Sequence, residues 1–579
     1  MFEKYIYPKK KEVGLTLFVK AFSTLMGILI PIILKYIIDD AVPSGQRNII
    51  IGLGLLMIFV SFLEWRYSIK SNRMAAKTSS EIIQDIRQDL FLRSVSLSSR
   101  QIDKLGISSI ESRLTSDTYT VHNFLGTAMR MGSRSIMLFI GGVILCVLLN
   151  FKLSLIIVFL IFPIFLTIRF IFNKTMPMWK NLQKRHDEMV QVIRESIKGI
   201  KVSKALNKVE DEKDKFYRAN KAVRDQSIKA VDTSALTSPI VNVFLYSGLA
   251  GVIIYGGSMV KSGEIKVGVI IAFISYLMQI VNSLFMMNWM FNIYSRSMIS
   301  VRRIEEIIFM PLDENQIIEN PVDLPEKDIH VPEIEFKNVS FSYDQEEYSL
   351  KDVSFKIYPG DSFAIMGATG AGKSTVIRLL MRQYDVDQGE ILLRGVNIKN
   401  LRHDELNSLF GSVFQKDFLF KGTIKENIEF GRQIPDADLY NATLAAQAHE
   451  FIQEKDNKIL HELASKGVNL SGGQKQRVLL SRAFAGDPEI LILDDSSSAL
   501  DFKTESKLRS AIDEKFDHST SIIIAQRISS VLDAKQIMFL ENGKILEMGD
   551  HQYMMDHCEP YKEIADMQIG EREEEVYAW

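Results

Sequence analysis

Gly367-Ala368-Thr369-Gly370-Ala371-Gly372-Lys373-Ser374 sets glycines, a lysine and a hydroxyl in the spacing G-x-x-x-x-G-K-S. An apolar, strand-like stretch, Ser362–Met366, precedes it, and a helical pattern, Thr375–Arg382, follows. Glycines let successive backbone N–H groups close around phosphate oxygens, and the N-terminus of the next helix adds positive potential. Lys373 would meet the β- and γ-phosphates of a nucleotide, and the Ser374 hydroxyl would ligate Mg²⁺. Ile490-Leu491-Ile492-Leu493-Asp494 reads as a buried parallel strand ending in a carboxylate. At that end Asp494 would lie beside the phosphates and help hold the same Mg²⁺. Between the two stands Leu470-Ser471-Gly472-Gly473-Gln474, followed by Lys475, Gln476 and Arg477.

These residues need an α/β frame. From Glu333 the chain alternates β-like and helical stretches with Gly at the turns. Pro311, Pro321, Pro325 and Pro332 among acidic residues read as a linker over 311–332. A nucleotide-binding domain is therefore expected over 333–579, and a second domain over 1–310, because 579 residues exceed one ordinary domain.

The first domain reads as membrane-spanning. A bilayer core takes about 20 mostly apolar helical residues. Six stretches fit: Leu15–Ile38, Ile49–Leu63, the runs between Arg134 and Lys152 and between Lys152 and Arg169, one ending at Val260 and one beginning near Val267. Lys20 and Lys35 in the first would snorkel or face a cavity. Glu64 and Arg66 would sit at the interface. Basic residues crowd the N-terminus (Lys4, Lys9, Lys10, Lys11) and residues 64–134 and 169–235, whereas the opposite loops are short. Positive-inside places both termini in the cytoplasm. The two basic segments keep helical apolar spacing, as in Ile82, Ile83, Ile86, Leu90 and Leu92, so each is expected to fold back as a helical hairpin extending past the membrane. With 69 Lys+Arg against 71 Asp+Glu there is no case for a nucleic-acid partner. Two cysteines, Cys146 and Cys558, exclude a disulfide scaffold or Cys-rich zinc module.

LSGGQ between a Walker A and a Walker B motif resembles the signature of ABC ATPases, and six spans ahead of it resemble an ABC exporter half-transporter. The resemblance covers essentially the whole chain. It implies a membrane domain of six long helices, then an α/β P-loop NTPase domain with a helical subdomain. Tyr343 matches the aromatic that stacks on adenine, and Thr375 joins the nucleotide-binding set. Gln415 matches the Q-loop glutamine that contacts Mg²⁺ together with Ser374 and Asp494. Ser498-Ala499-Leu500-Asp501 matches the D-loop. Two such domains pair head to tail in the family, so Leu470–Gln474 would act in trans, Ser471 and the amides of Gly472 and Gly473 facing a γ-phosphate. Ser112–Asp117 resembles the first coupling-helix region, and Gly199–Phe216 the second.

Two departures fall at the reacting centre. Asp495 stands where the family has a catalytic Glu. It is one methylene shorter, and a displacement of about 1 Å can cost on the order of 100-fold in rate. Gln526 stands where the switch-loop His is expected, and Gln cannot carry an imidazole's proton. The stretch before LSGGQ, Glu462–Gly467, has also lost much of the family pattern. Paired changes beside an intact signature resemble the degenerate-site subunit of bacterial heterodimeric multidrug ABC exporters. The expectation is ATP-driven export of hydrophobic or amphipathic compounds across the cell membrane, with ATP and Mg²⁺, beside a second, non-identical half-transporter. Met278, Met286, Met287, Met290, Phe285, Trp289 and Phe291 in the sixth span suit an adaptable apolar surface. A homodimeric lipid flippase and an ATP-gated channel or nucleotide sensor are the alternatives.

Overall fold

The computed structural model describes residues 1–311, 313, 321–344, 346–415, 417–496 and 499–577. Part of the expected linker (312 and 314–320) and Ser498 of the D-loop lie outside the described residues. The chain forms two compact units, Met1–Ser96 with Ser108–Met310, and Leu97–Ile107 with Pro311–Trp579.

Among the described residues, six helices are long and apolar enough to cross a bilayer: α1 (Lys10–Ala41), α2 (Arg47–Val95), α4 (Ile107–Leu149), α5 (Phe151–Lys198), α7 (Val209–Lys261) and α8 (Val267–Ile308). Short helices α3 (Ser99–Leu105) and α6 (Ile200–Ala205) join α2 to α4 and α5 to α7. The 49 residues of α2 make a rod of about 70 Å at 1.5 Å per residue, more than twice a hydrocarbon core of about 30 Å. The helices thus run past the membrane as their periodicity predicts. Ile82, Ile83, Ile86 and Leu90 are buried on one face of α2. Leu92 is exposed, because two residues beyond Leu90 a helix has turned to its opposite side.

The membrane unit's core lies between α5, α7 and α8. Leu153, Ile157, Leu160, Ile164 and Ile168 recur at three- and four-residue spacing and are buried along α5. Gly248 of α7 lets the helices approach closely: a Cβ there would lie 2.1 Å from Leu160 Cδ1. The buried Tyr276 hydroxyl on α8 donates to the Ile28 carbonyl of α1 at 2.7 Å. Lys20 neither snorkels nor faces a cavity. It is buried against α2, its ammonium 3.2 Å from Asn72 Oδ1 and 3.4 Å from Ser68 Oγ. Glu64 pairs with Arg134 of α4 at 3.1 Å. Of the methionine-aromatic stripe on α8, Met287, Met290 and Phe291 line an apolar groove of about 660 Å³ with Phe124, Met129 and Tyr294.

Ser112–Asp117, which resembles the first coupling-helix region, is held within the membrane unit. Arg113 pairs with Glu306 at 2.6 Å, and Asp117 accepts from Ser300 Oγ at 2.7 Å, so both are tied to α8 inside the membrane unit. The segment that packs with the ATPase unit is Leu97–Ile107. Its helix α3 opens on a capping box between Ser98 and Gln101.

Among its described residues the second unit has twelve strands: β1 (Ile334–Phe341), β2 (Leu350–Ile357), β3 (Ser362–Gly367), β4 (Gln388–Leu393), β5 (Val396–Asn397), β6 (Phe410–Val413), β7 (Gly422–Thr423), β8 (Glu462–Leu463), β9 (Ile490–Asp494), β10 (Thr520–Ile524), β11 (Gln536–Glu541) and β12 (Lys544–Gly549). An antiparallel sheet runs β2-β1-β4-β5, and a six-stranded sheet runs β12-β11-β3-β10-β9-β6. All pairs of the latter are parallel except β11–β12. One core fills the space between the two sheets. A second packs a helical subdomain, with Ile424, Leu439, Phe451 and Val478, onto Leu491 and Leu493 of β9.

Gly248→Leu should overpack the α5–α7 contact and lower stability by roughly 1–3 kcal/mol. Thermal unfolding of the detergent-purified protein should show an earlier transition, while Gly257→Ala, where a Cβ meets nothing within 4 Å, should not.

Candidate functional site

The parallel register brings distant residues to one edge. Ile524 lies opposite both Ile365 and Asp494, so β10 and β9 end level and β3 runs just past them to Gly367. The phosphate-binding turn, the acidic strand end and the switch segment therefore leave the sheet side by side. The turn enters helix α9 (Lys373–Leu380) through Gly372 at φ 102°. A Cβ at Gly372 would lie 2.7 Å from the Ser349 carbonyl, and one at Gly367 2.1 Å from the Leu540 carbonyl, so neither position tolerates a side chain.

Within this cradle Lys373 Nζ donates to the carbonyls of Gly367 and Ala368 at 2.7 and 2.8 Å. Burial lowers its pKa, against the attraction of Asp494 and Asp495. Burial raises the pKa of Asp494, with the neighbouring Asp495 charge acting in the same sense and the Ser374 hydrogen bond opposing. The Ser374 hydroxyl donates to Asp494 Oδ2 at 3.0 Å. Neighbouring ligands of an octahedral Mg²⁺, each 2.0–2.1 Å from the ion, lie about 2.9 Å apart. These two oxygens fit the ion as they stand. When bound, Mg²⁺ would draw charge from the β- and γ-phosphate oxygens. Gln415 is exposed just beyond the end of β6.

Tyr343 lies at the side of the cradle. Its hydroxyl is 3.2 Å from Thr375 Oγ1 and accepts from Arg378 at 3.2 Å. Phe341 and Tyr384 meet its ring edge-on, at 4.9 and 5.2 Å between centroids, and fix its orientation. Tyr384 in turn donates its hydroxyl to Asp103 of α3. Burial raises the Tyr384 pKa, and Asp103 adds to the rise. Arg100 of α3 lies 3.6 Å from Asp387. A segment that the sequence places between two membrane helices thus reaches Tyr343 through Tyr384. Arg378, Tyr384 and Asp103 were not legible as site residues. Arg378 had one signal, its place on the helix following the phosphate turn.

The signature faces outward. Ser471 and Gln474 cap helix α10 (Gly472–Phe484) reciprocally: Ser471 Oγ accepts from Gln474 N, and Gln474 Oε1 accepts from Ser471 N. The Ser471 hydroxyl proton and the Gly472 and Gly473 amides remain for an anion, and Ser471 and Gly472 are exposed. Ala499 of the D-loop packs on Gly473, its carbonyl 3.2 Å from where a Cβ would stand. Asp501 caps helix α11 (Phe502–Lys515), accepting from Thr504 N at 2.9 Å and Thr504 Oγ1 at 2.8 Å. These bonds lower its pKa.

Asp495 donates its amide to the Ile524 carbonyl at 2.9 Å and has φ 52°, a left-handed conformation that Asp accepts more readily than longer residues. Gln526 is exposed at the end of β10.

Residues 13–284 match the ABC transporter transmembrane region, and residues 350–498 match the ABC transporter family. Over 568 residues the chain is 32% identical to the uncharacterized ABC transporter ATP-binding protein YfiB of Bacillus subtilis, covering 98% of each. The chain is an ABC transporter. It is also 30% identical to the "Putative multidrug export ATP-binding/permease protein YgaD" of Bacillus subtilis, again over 98% of both chains. The fold is that of a bacterial Atm1-family ABC exporter solved with ATP bound, with a TM-score of 0.78, 23% identity and 98% coverage of each chain. This ABC transporter is therefore a multi-pass membrane protein of the exporter type, driven by ATP, and exporters of this type work as dimers.

Tyr343→Ala should weaken nucleotide binding by about tenfold, since stacking on a base contributes roughly 1–3 kcal/mol. Tyr343→Phe should keep most of the affinity, because the ring persists while the Thr375 and Arg378 contacts are lost. A fluorescent-ATP titration of the purified transporter would compare them. An alanine variant binding like the wild type would remove Tyr343 from the site.

Proposed function

We propose that this chain is one half of a heterodimeric exporter of hydrophobic or amphipathic compounds, and that its own ATP site hydrolyses slowly. The observation that carries this reading is the pair Asp495 and Gln526 at the positions of the base and the switch residue, beside an intact Leu470–Gln474. Both changes bear on the same water and γ-phosphate. The signature serves the partner's site instead.

Lys373 would leave the Gly367 and Ala368 carbonyls for the phosphates, while Ser374 and Asp494 hold the ion and Tyr343 stacks on the base. The exposed Ser471 and Gly472, with Gly473 beside them, would close on the nucleotide held by the partner. Two bound ATPs then fasten the ATPase domains together, and the coupling segments draw the membrane helices into their outward arrangement. Hydrolysis at the partner's site reopens the pair. Basic residues on the long segments support a cytoplasmic ATPase domain and cytoplasmic termini, in the cell membrane. The apolar groove beside Met287, Met290 and Phe291 supports an adaptable apolar cargo, as does the multidrug export named for a relative 30% identical to this chain. The partner should carry Glu after its acidic strand end, His in its switch loop and a less regular signature.

Gly472→Glu in this chain should lower steady-state ATPase of the purified pair far more than Asp495→Asn. Removing a donor to the reacting phosphate typically costs about 100- to 1000-fold, whereas Asp495 serves the slow site. Lys373→Ala should weaken ATP binding at this chain's site and leave considerable turnover. The reverse ranking, or brisk ATPase from this chain purified alone, would favour a homodimer.

Restoring Asp495→Glu with Gln526→His should give only a modest gain in turnover of the pair. The backbone at φ 52° favours Asp over Glu, and the opposing signature stays imperfect. A rise to equal hydrolysis at both sites in single-turnover trapping would contradict this.

A further inference from the structure

The switch segment is gripped from two sides by groups outside the recognised motifs. On one side runs the C-terminal helix α12 (Glu559–Tyr577). Tyr561, Ala565 and Gln568 fall on one face of it by spacing. Tyr561 and Ala565 are fully buried, in a cluster with Ile528 of the switch segment. The Tyr561 hydroxyl lies 2.8 Å from His551 Nδ1, which anchors this face. One turn on, the Gln568 side chain takes both ends of the switch backbone. Its Nε2 donates to the Gln526 carbonyl at 3.1 Å, and its Oε1 accepts from the Ile528 amide at 2.8 Å. A carbonyl on one side and an N–H on the other fix the amide's orientation.

On the other side is α11, which follows the D-loop. Glu505, 5% exposed, accepts from Ser530 Oγ at 2.6 Å and lies 3.6 Å from Arg527 Nη1. Arg509 donates to the Ser529 carbonyl. From Gln526 to Ser530 every residue is thus bonded by its side chain or backbone to α11, to α12 or to the core beneath them.

We propose that Gln568 is a positioning residue for the switch loop, through which α12 sets where residue 526 stands relative to the γ-phosphate. Gln is the one uncharged side chain long enough to offer a donor and an acceptor in one plane, matching a carbonyl and an amide two residues apart. The exposed Gln526 side chain makes none of these bonds itself. Its backbone position is set by a helix that follows the switch loop in the chain, so displacement of α12 would be felt at the phosphate side of the site.

The test uses the full-length transporter, with its partner if one is purified with it. Gln568→Leu removes both bonds, and Gln568→Glu keeps the acceptor for Ile528 while opposing the Gln526 carbonyl with a carboxylate. Each bond is worth about 2- to 10-fold. Amide exchange in residues 525–531 should accelerate on the order of tenfold in Gln568→Leu and less in Gln568→Glu. Radiolabelled 8-azido-ATP held on this chain should leave or be hydrolysed at a rate changed about three- to tenfold in the same order, with initial binding affinity unchanged, because the adenine platform is untouched. Lys562→Gln, on the exposed side of the same helix, should behave as the wild type. Unchanged exchange in residues 525–531 would overturn the clamp. Faster exchange without any change in nucleotide retention or hydrolysis would overturn the positioning role, and so would a Gln568→Glu variant equal to the wild type in both measurements.

Discussion

The parallel ladder β9-β10-β3 is the constraint on which the site depends. A sheet cannot slip by one residue without turning every side chain to its other face. With Ile490, Ile492, Ile522, Ile524 and Ile365 packed in one core, the register of the three strands is fixed. That register puts Ser374, Asp494 and the switch segment at one edge, and the 3.0 Å contact between Ser374 and Asp494 follows. The phosphate turn adds nothing to this alignment by attraction. It only requires that Gly367 and Gly372 carry no side chain, since the backbone of the neighbouring segments already fills that space.

The nucleotide site was legible because its determinants are contiguous. Eight residues from Gly367 to Ser374 carry the whole phosphate cradle, and five carry the signature. The membrane helices were legible from apolar runs alone. What could not be read are contacts whose partner is backbone or lies far along the chain. Gln568 is an ordinary glutamine until the Gln526 carbonyl and Ile528 amide are seen beside it. Asp103 gave no sign, because its partner Tyr384 is 281 positions away. The resemblance pointed to Ser112–Asp117 as a coupling region, and nothing in the sequence signalled that Arg113 and Asp117 pair with α8. Lys20 failed for a related reason: a lysine expected to reach for water found Ser68 and Asn72 across α2.

The two sides of the ATP machinery in this chain are built to different tolerances. The signature is capped reciprocally, regular and exposed. The reacting centre instead carries a short acid in a left-handed backbone conformation and a glutamine whose main chain is held from outside. On the proposed reading of a slowly hydrolysing site, retaining nucleotide calls for a still loop more than for a base.

The assignment of Leu97–Ile107 to the ATPase unit has a consequence for how the protein is made. This segment emerges from the ribosome well before Tyr384 and Asp387, which it meets, with residues 108–310 intervening. Joining them closes a long loop, and the entropic penalty is smaller if the membrane helices have already fixed the loop's ends. The ATPase unit would then finish folding on a template laid down by the membrane unit. A fragment beginning near residue 311 would lack the Asp103 and Arg100 partners of Tyr384 and Asp387. Errors in inserting α2 or α4 into the bilayer would surface as defects in the ATPase unit, far along the chain from the residues that caused them.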